Sequence, residues 1–329
     1  MIRSIVAFTT LMVLGLLLIW GGMHYHILFK KVVVTTSSTL EINKGDTLDS
    51  VIKNLRAKHI AINPFWFKLF AYKTQLDRAL KVGEYVLNPG ATAADILALL
   101  KDGKTRQYSI TFPEGWSFKQ VFKAIKDNHN LQHTLSDDEF PGLMTKLGSD
   151  KTNPEGLFFP DTYFFEKNSS DVDLLKRAHD KMQRLVATEW QKRDQDVPLQ
   201  TPYQALILAS IIEKETAAAE ERKKIAGVFT RRLKMGMLLQ TDPTVIYGMG
   251  DDYQGNIRRS DLREPTPYNT YVNKGLPPTP IAMPGEAAIH AALHPADGNA
   301  LFFVARGNGR HAFSATYDEH EKFVSLFQK

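Results

Sequence analysis

The 329-residue chain contains no cysteine. That excludes disulfide staples, cysteine-based metal sites and a cysteine nucleophile. It leaves the compartment open, since cytoplasmic and exported chains alike can lack cysteine. There is also no basic stripe interleaved with aromatic residues. Lysine and arginine number 41 against 36 aspartates and glutamates, a net charge of +5, and the two signs are interspersed. No nucleic-acid partner is expected from such a pattern. An anionic polymer or an anionic membrane surface suits the mild basic excess better. Charge is missing altogether from one stretch. Ile5 to Met23 holds no charged residue and no histidine, and apolar character resumes at Ile27–Phe29.

A bilayer-spanning helix needs about 20 apolar residues, whereas the apolar run of a cleaved signal peptide is roughly 7–15. This run is too long for the second class. Trp20 sits at an interfacial position, and no small-x-small cleavage site follows. The pattern predicts an uncleaved signal anchor over residues 5–29, with a cleaved signal peptide as the alternative. Residues 1–4 form a short tail before it. Arg3 on one side nearly balances Lys30 and Lys31 on the other, so charge does not orient the span.

After a linker over residues 30–39, one pattern recurs three times: "LEINKGDTLDSVIKNL", "YVLNPGATAADILALL" and "ITFPEGWSFKQVFKAI". Aligned on Gly45, Gly90 and Gly115, each shows Thr or Ser two residues later (Thr47, Thr92, Ser117). Apolar residues follow at Val51, Ile96 and Val121, and again at Leu55, Leu100 and Ile125. Alternating apolar positions precede each glycine. The pattern predicts a half-buried strand, a glycine turn and a capped helix with one face on a sheet. The first copy resembles the opening of a LysM module, a small glycan-binding fold. The aromatic stretch Ile60–Lys81 departs from that fold, so a spacer or docking role is the alternative to glycan binding.

From Gln107 the texture changes. Helices are predicted at Phe118–Asn128, Asp171–Arg193, Pro202–Glu215, Ala218–Lys234 and Gly285–Leu293. "ALFFVARGNGRHAFS" reads as a hairpin around Gly-Asn-Gly. The expected class is α+β: an N-terminal transmembrane helix, a small LysM-like βα module over residues 40–106, and a larger mixed catalytic domain over 107–329.

The chemistry centres on "ALILASIIEKET". Thr201-Pro202 starts a helix, and Ala205–Ile212 is apolar on every face, hence buried. Glu213 ends it. Burial and the negative end of the helix dipole both raise a carboxyl pKa, which suits a glycosidic general acid. The alternative is an ordinary ion pair with Lys214 or Arg222. Glu215, two residues on, points about 200° away and does not share a face with Glu213. It is expected to be solvated or bonded to a following turn. Asp242-Pro243 reads as a helix cap followed by proline. Gln240, Thr244 and Tyr247 are polar groups in an apolar setting, suited to sugar hydroxyls and amides. The long loop Pro267–Gly285 belongs to a class that often lines sites. His290 and His294 have the i, i+4 spacing of zinc ligands, but no intervening glutamate stands where a zinc peptidase has its base, and Pro295 follows at once. No metal is expected there or at His129/His133. His311 and His320 show no visible partner.

Together "ASIIEKET", "LLQTDPTVIYGMG", "YNTY", "GLPPTPIAMPG", "PEGLFFPDTYFF" and "ALHP" resemble the YceG-like (MltG) family of endolytic murein transglycosylases. The resemblance spans nearly the whole chain. It implies a single-pass inner-membrane protein with a cytoplasmic N-terminus and a periplasmic catalytic region, without cofactor. It implies cleavage of the MurNAc–GlcNAc bond inside peptidoglycan strands without water, leaving 1,6-anhydro ends, with Glu213 as the catalytic residue. Gln240, Asp242, Thr244, Tyr268, Asn269, Thr270 and Tyr271 are the implied substrate-binding candidates. Glu155 is a further one, or a structural acid. The implied partners are glycan strands, the inner membrane and peptidoglycan synthases (penicillin-binding proteins). A hydrolase using Asp242 to position water, and a non-catalytic peptidoglycan binder, are the competing functions.

Overall fold

The computed structural model describes residues 2–29, 31–76, 80–135 and 140–328. Met1, Lys30, Asp77–Ala79 and Lys329, which the sequence pattern assigned to the tail, linker, LysM-like module and catalytic domain, lie outside the described residues. Two compact units emerge: Met1–Tyr108 with Phe165–Asn168, and Ser109–Phe164 with Ser169–Lys329. No sequence pattern announced the return of Phe165–Asn168 to the first unit.

The first unit opens with α1 (Ile2–Phe29). Its segment Val6–Tyr25 is long and apolar enough to cross a membrane and packs none of its hydropathic window inside the protein. There follow β1 (Ser38–Ile42), α2 (Leu48–Ala57), α3 (Pro64–Lys73), β2 (Gly83–Leu87) and α4 (Ala93–Asp102). The strands pair antiparallel with Leu40 opposite Tyr85. Leu40, Val51, Leu55, Phe67, Tyr85, Ile96 and Leu100 form the core beneath them. Both helices that follow glycine turns carry the predicted caps. Thr47 and Thr92 accept the backbone N–H groups of Ser50 and Asp95. Helix α3 was not foreseen. Asn63 caps it and Pro64 stands at its first position, a start signal hidden among aromatic residues.

The second unit holds the larger number of elements. β3 (Gln107–Thr111), where the chain passes into it, leads through the third glycine turn to α5 (Phe118–Lys126). Then come β4 (Leu131–Gln132), α6 (Phe140–Lys146), β5 (Thr162–Glu166), β6 (Ser169–Ser170), α7 (Asp171–Lys192) and α8 (Pro202–Glu215). They continue with α9 (Arg222–Lys234), α10 (Asp242–Met249), α11 (Glu286–Leu293), β7 (Phe302–Ala305), β8 (His311–Ser314) and α12 (Tyr317–Phe327). The sheets among the described residues are two-stranded: β1–β2, β3–β5, β4–β6 and β7–β8. The fold is thus mixed α and β. The third copy of the repeat keeps its local shape but pairs its strand with β5 rather than with either earlier copy.

α8 is the axis of this unit. Ala205 to Ile212 are all buried, as their apolar character on every face requires. α11, α7, α9 and α10 pack around it. The predicted helix at Ala218–Lys234 is broken in two: a 3₁₀ turn at Ala219–Glu221 precedes α9. The Glu221 carboxylate leaves the helical surface to accept from the backbone N–H and Nδ1 of His311. His311 therefore has a partner. His320 also has a neighbour, stacking on Phe302 at 5.2 Å.

Candidate active site

The C-terminal end of α8 projects Glu213 into a cleft of about 520 Å³ lined by Glu114, Trp116, Gln120, Lys214, Glu215 and Arg222. Three segments make it. The turn at Gly115 supplies one wall, the start of α9 another, and the N-terminus of α11 closes on the carboxylate. The Gly285 N–H donates to Glu213 Oε2 at 3.0 Å. Arg222 Nη2 stands 3.5 Å from Glu213 Oε1 and 3.9 Å from Glu114 Oε2. One guanidinium is thus shared by two carboxylates. The Glu213 side chain is only 7% exposed.

Burial pushes the Glu213 carboxyl above its ordinary range, and the negative charge of Glu114 pushes the same way. The Gly285 N–H and Arg222 pull against them without reversing the direction. Sequence suggested one helix dipole at Glu213. The structure adds a second of opposite sense, because α11 begins at Gly285, where a helix favours negative charge. Both sequence expectations for Glu213 hold at once: it is a buried cleft acid, and it has Arg222 as an ionic neighbour. Lys214 goes elsewhere, donating from Nζ to the Gly115 carbonyl at 3.2 Å.

Glu215 turns to a different partner. Thr241 Oγ1 donates to its Oε2 at 2.9 Å. It is therefore bonded to a later segment, not solvated. Burial, with Asp242 adding to it, raises its carboxyl to about 7. Glu215 lines both the Glu213 cleft and an adjoining cavity of about 440 Å³ that contains Arg232, Gln240, Asp242 and Tyr271.

The two polar motifs meet at that cavity. Gln240 N–H donates to the Thr270 carbonyl at 3.1 Å, and Thr241 N–H to Thr270 Oγ1 at 3.1 Å. The Tyr271 hydroxyl donates to Asp242 Oδ1 at 2.6 Å. Gln240 holds a left-handed backbone, φ 51°, a strained state for a side chain with a Cβ. The cap of α10 is Thr241, with Asp242 at the first helical position. That corrects the expectation that Asp242 is the cap, and its carboxylate is thereby free for Tyr271.

The remaining candidates divide. Thr244, Asn269 and Thr270 are buried. Thr244 Oγ1 lies 2.8 Å from Thr270 Oγ1, and Asn269 Nδ2 donates to the carbonyls of Asp261 and Glu264. These three side chains hold the loop together. Tyr268 is half-buried, its hydroxyl 2.9 Å from Thr279 Oγ1 and its ring edge-on to Tyr247 at 4.8 Å. Glu155 is 5% exposed and accepts the Phe118 N–H at 2.9 Å and the Tyr247 hydroxyl at 3.1 Å. Burial raises it to about 7. It bonds the first turn of α5, next to the Gly115 turn. Glu114, Trp116 and Gly285 were missed as site residues. The first two flank Gly115 in "PEGW", so the third repeat held a signal.

A family model for the YceG-like family matches residues 40–325. The chain belongs to the YceG-like family. Over 317 residues it is 33% identical to the endolytic murein transglycosylase of Bacillus subtilis, covering 88% of this chain and 86% of that one. An endolytic murein transglycosylase of Streptococcus pneumoniae is 27% identical over 324 residues, and the match spans 58% of that longer protein. A crystal structure of a YceG-like protein from Listeria monocytogenes aligns with a TM-score of 0.57 at 30% identity, covering 87% of this chain and 98% of that chain. The family match spans both compact units and includes α8, the α10 segment and the loop before α11.

Proposed function

We propose that this protein is an endolytic murein transglycosylase in which Glu213 serves as both acid and base. The observation that carries the mechanism is a buried carboxyl of raised pKa opening into a cleft at the end of α8. Relatives named for this activity support the substrate class. Gly285 N–H occupies Oε2, which leaves Oε1 to carry the transferable proton. Glu213 gives that proton to the leaving glycosidic oxygen as the MurNAc C1–O bond breaks. The carboxylate then takes a proton from the MurNAc C6 hydroxyl, whose oxygen bonds to C1. No water enters, and one carboxyl completes both transfers. A water-activating second carboxylate at hydrolase separation is not needed. Asp242, the residue a hydrolase would use, is engaged by Tyr271 in the adjoining cavity.

Gln240, Asp242 and Tyr271 contact the glycan strand along that cavity, and Thr244, Asn269, Thr270, Tyr268 and Glu155 fix the walls. The apolar α1 anchors the chain in the inner membrane with the second unit in the periplasm. The first unit is the LysM-like module and helps hold the strand, and peptidoglycan synthases are the protein partners. Incubating the detergent-solubilised protein with peptidoglycan and analysing muropeptides by mass spectrometry tests the activity. Anhydro ends support it, and reducing ends would sink it in favour of hydrolysis.

A further inference from the structure

α11 begins at the Glu213 cleft and ends at a second cluster. His290 and His294 lie one turn apart with ring centroids 4.4 Å from each other and planes 33° apart. His290 Nδ1 is 2.8 Å from Glu189 Oε2 on α7. His294 Nδ1 is 2.9 Å from Oδ1 of Asp194, just past the end of α7. An ionised carboxylate can only accept, so each Nδ1 carries the proton. Each Nε2 then keeps its lone pair, the arrangement found where a carboxylate orients a metal-binding histidine. One ring nitrogen of each histidine and one carboxylate oxygen of Glu189 all lie within 4.8 Å of one another.

Solvent reaches the cluster. The side chain of His290 is 44% exposed, that of His294 19% and that of Glu189 12%. The site is also the negative end of α11, where a helix favours a cation. Asp194 is fixed in place by its own N–H, which donates to the Leu293 carbonyl at 3.1 Å. None of the four residues lines the Glu213 cleft.

The geometry points to a divalent transition-metal site with His290, His294 and Glu189 as ligands and Asp194 orienting His294. Glu189 can offer Oε1 while Oε2 holds His290. Two imidazoles, a carboxylate and water make a donor set suited to zinc. Two hydrogen bonds linking α7 to the end of α11 are the plainer account of the same contacts. Both links use Nδ1, so they coexist with an ion at Nε2. The histidine spacing alone argued against a metal because it lacked a third donor. Glu189, 101 residues before His290, supplies one.

The test uses tag-free, chelator-treated full-length protein in detergent, titrated with zinc chloride by calorimetry and followed by thermal unfolding. One ion per chain and a rise in Tm on adding zinc are expected. His294→Ala and Glu189→Gln should each weaken binding at least about tenfold, and Asp194→Asn about 10- to 100-fold. The Tm of each metal-free variant checks that it folds. Cobalt chloride added to the wild-type protein gives a readout that needs no variant: new visible absorption in the protein-bound ion. Zinc binding unchanged in His294→Ala, or cobalt absorption no different from the free ion, would overturn the site.

Discussion

The turns at Gly45 and Gly115 match in backbone and cap but not in surroundings. Both glycines hold positive φ, 91° and 75°, and both precede a helix capped by a hydroxyl. A Cβ added at Gly45 would meet nothing within 4 Å. At Gly115 it would lie 3.8 Å from Lys214 Cδ and 3.9 Å from Glu213 Cγ. Gly115 also donates its N–H to the Met283 carbonyl at 2.9 Å and accepts from Lys214. The same local device therefore shapes a core in one unit and walls a catalytic cleft in the other. The difference lies in what tertiary packing brings to the turn: the end of α8 on one side and the segment before α11 on the other.

Removing the acid breaks the contrast most sharply. Glu213→Gln should reduce anhydro-product formation by about 10²–10⁴-fold, the usual contribution of a positioned general acid, while Tm holds or rises. A Tm that holds is expected because the folded environment already favours the neutral carboxyl. Full muropeptide release by this variant would end the proposed mechanism. Next comes the glycine itself. Gly45→Ala and Gly115→Ala each force a Cβ into left-handed backbone, a cost of about 1–2 kcal/mol, seen as similar losses in denaturant midpoint. Only Gly115→Ala should also lower kcat, because the added methyl presses on Glu213 and Lys214. Equal activity losses in the two variants would show that the third turn has no special role.

A smaller effect separates the two neighbours of Glu213. The acid must be protonated to act, so activity falls as pH rises through its raised pKa. Glu114→Gln removes a group that pushes this pKa up, and the fall should begin at lower pH. Arg222→Gln removes one that pulls it down, and the fall should begin at higher pH. Rate–pH profiles of kcat that move in the same direction for both variants would contradict the shared-guanidinium geometry.

Much of this was legible in the chain. Three glycines and three hydroxyl caps specified the βα turns, since turn and cap are set within a few residues. The burial of α8 followed from its lack of any polar face. What escaped was long-range. Glu215 takes its partner from Thr241, Glu213 from Gly285, His311 from Glu221. Nothing in spacing reports such pairs. The break before α9 escaped for the same reason, since it serves His311, 90 residues away. α3 escaped because its aromatic residues hid a proline start.

The smallest expected effect concerns the other acid of the pair. Glu215 has a folded pKa of about 7 against an ordinary 4.5, chiefly through burial. A raised carboxyl contributes stability that is fully present below its unfolded pKa and is lost as pH rises through the folded one. Stability should therefore fall between pH 4.5 and about 7, by at most about 1.4 kcal/mol per pH unit for one group. Glu155, also about 7, acts in the same window, so wild-type protein carries both contributions. Glu215→Gln keeps an acceptor for Thr241 and removes one of them. Urea unfolding at pH 5 and pH 8 should show a smaller drop for the variant than for the wild type. An identical drop would place Glu215 in contact with water and make its carboxylate, rather than its neutral form, the partner of Thr241.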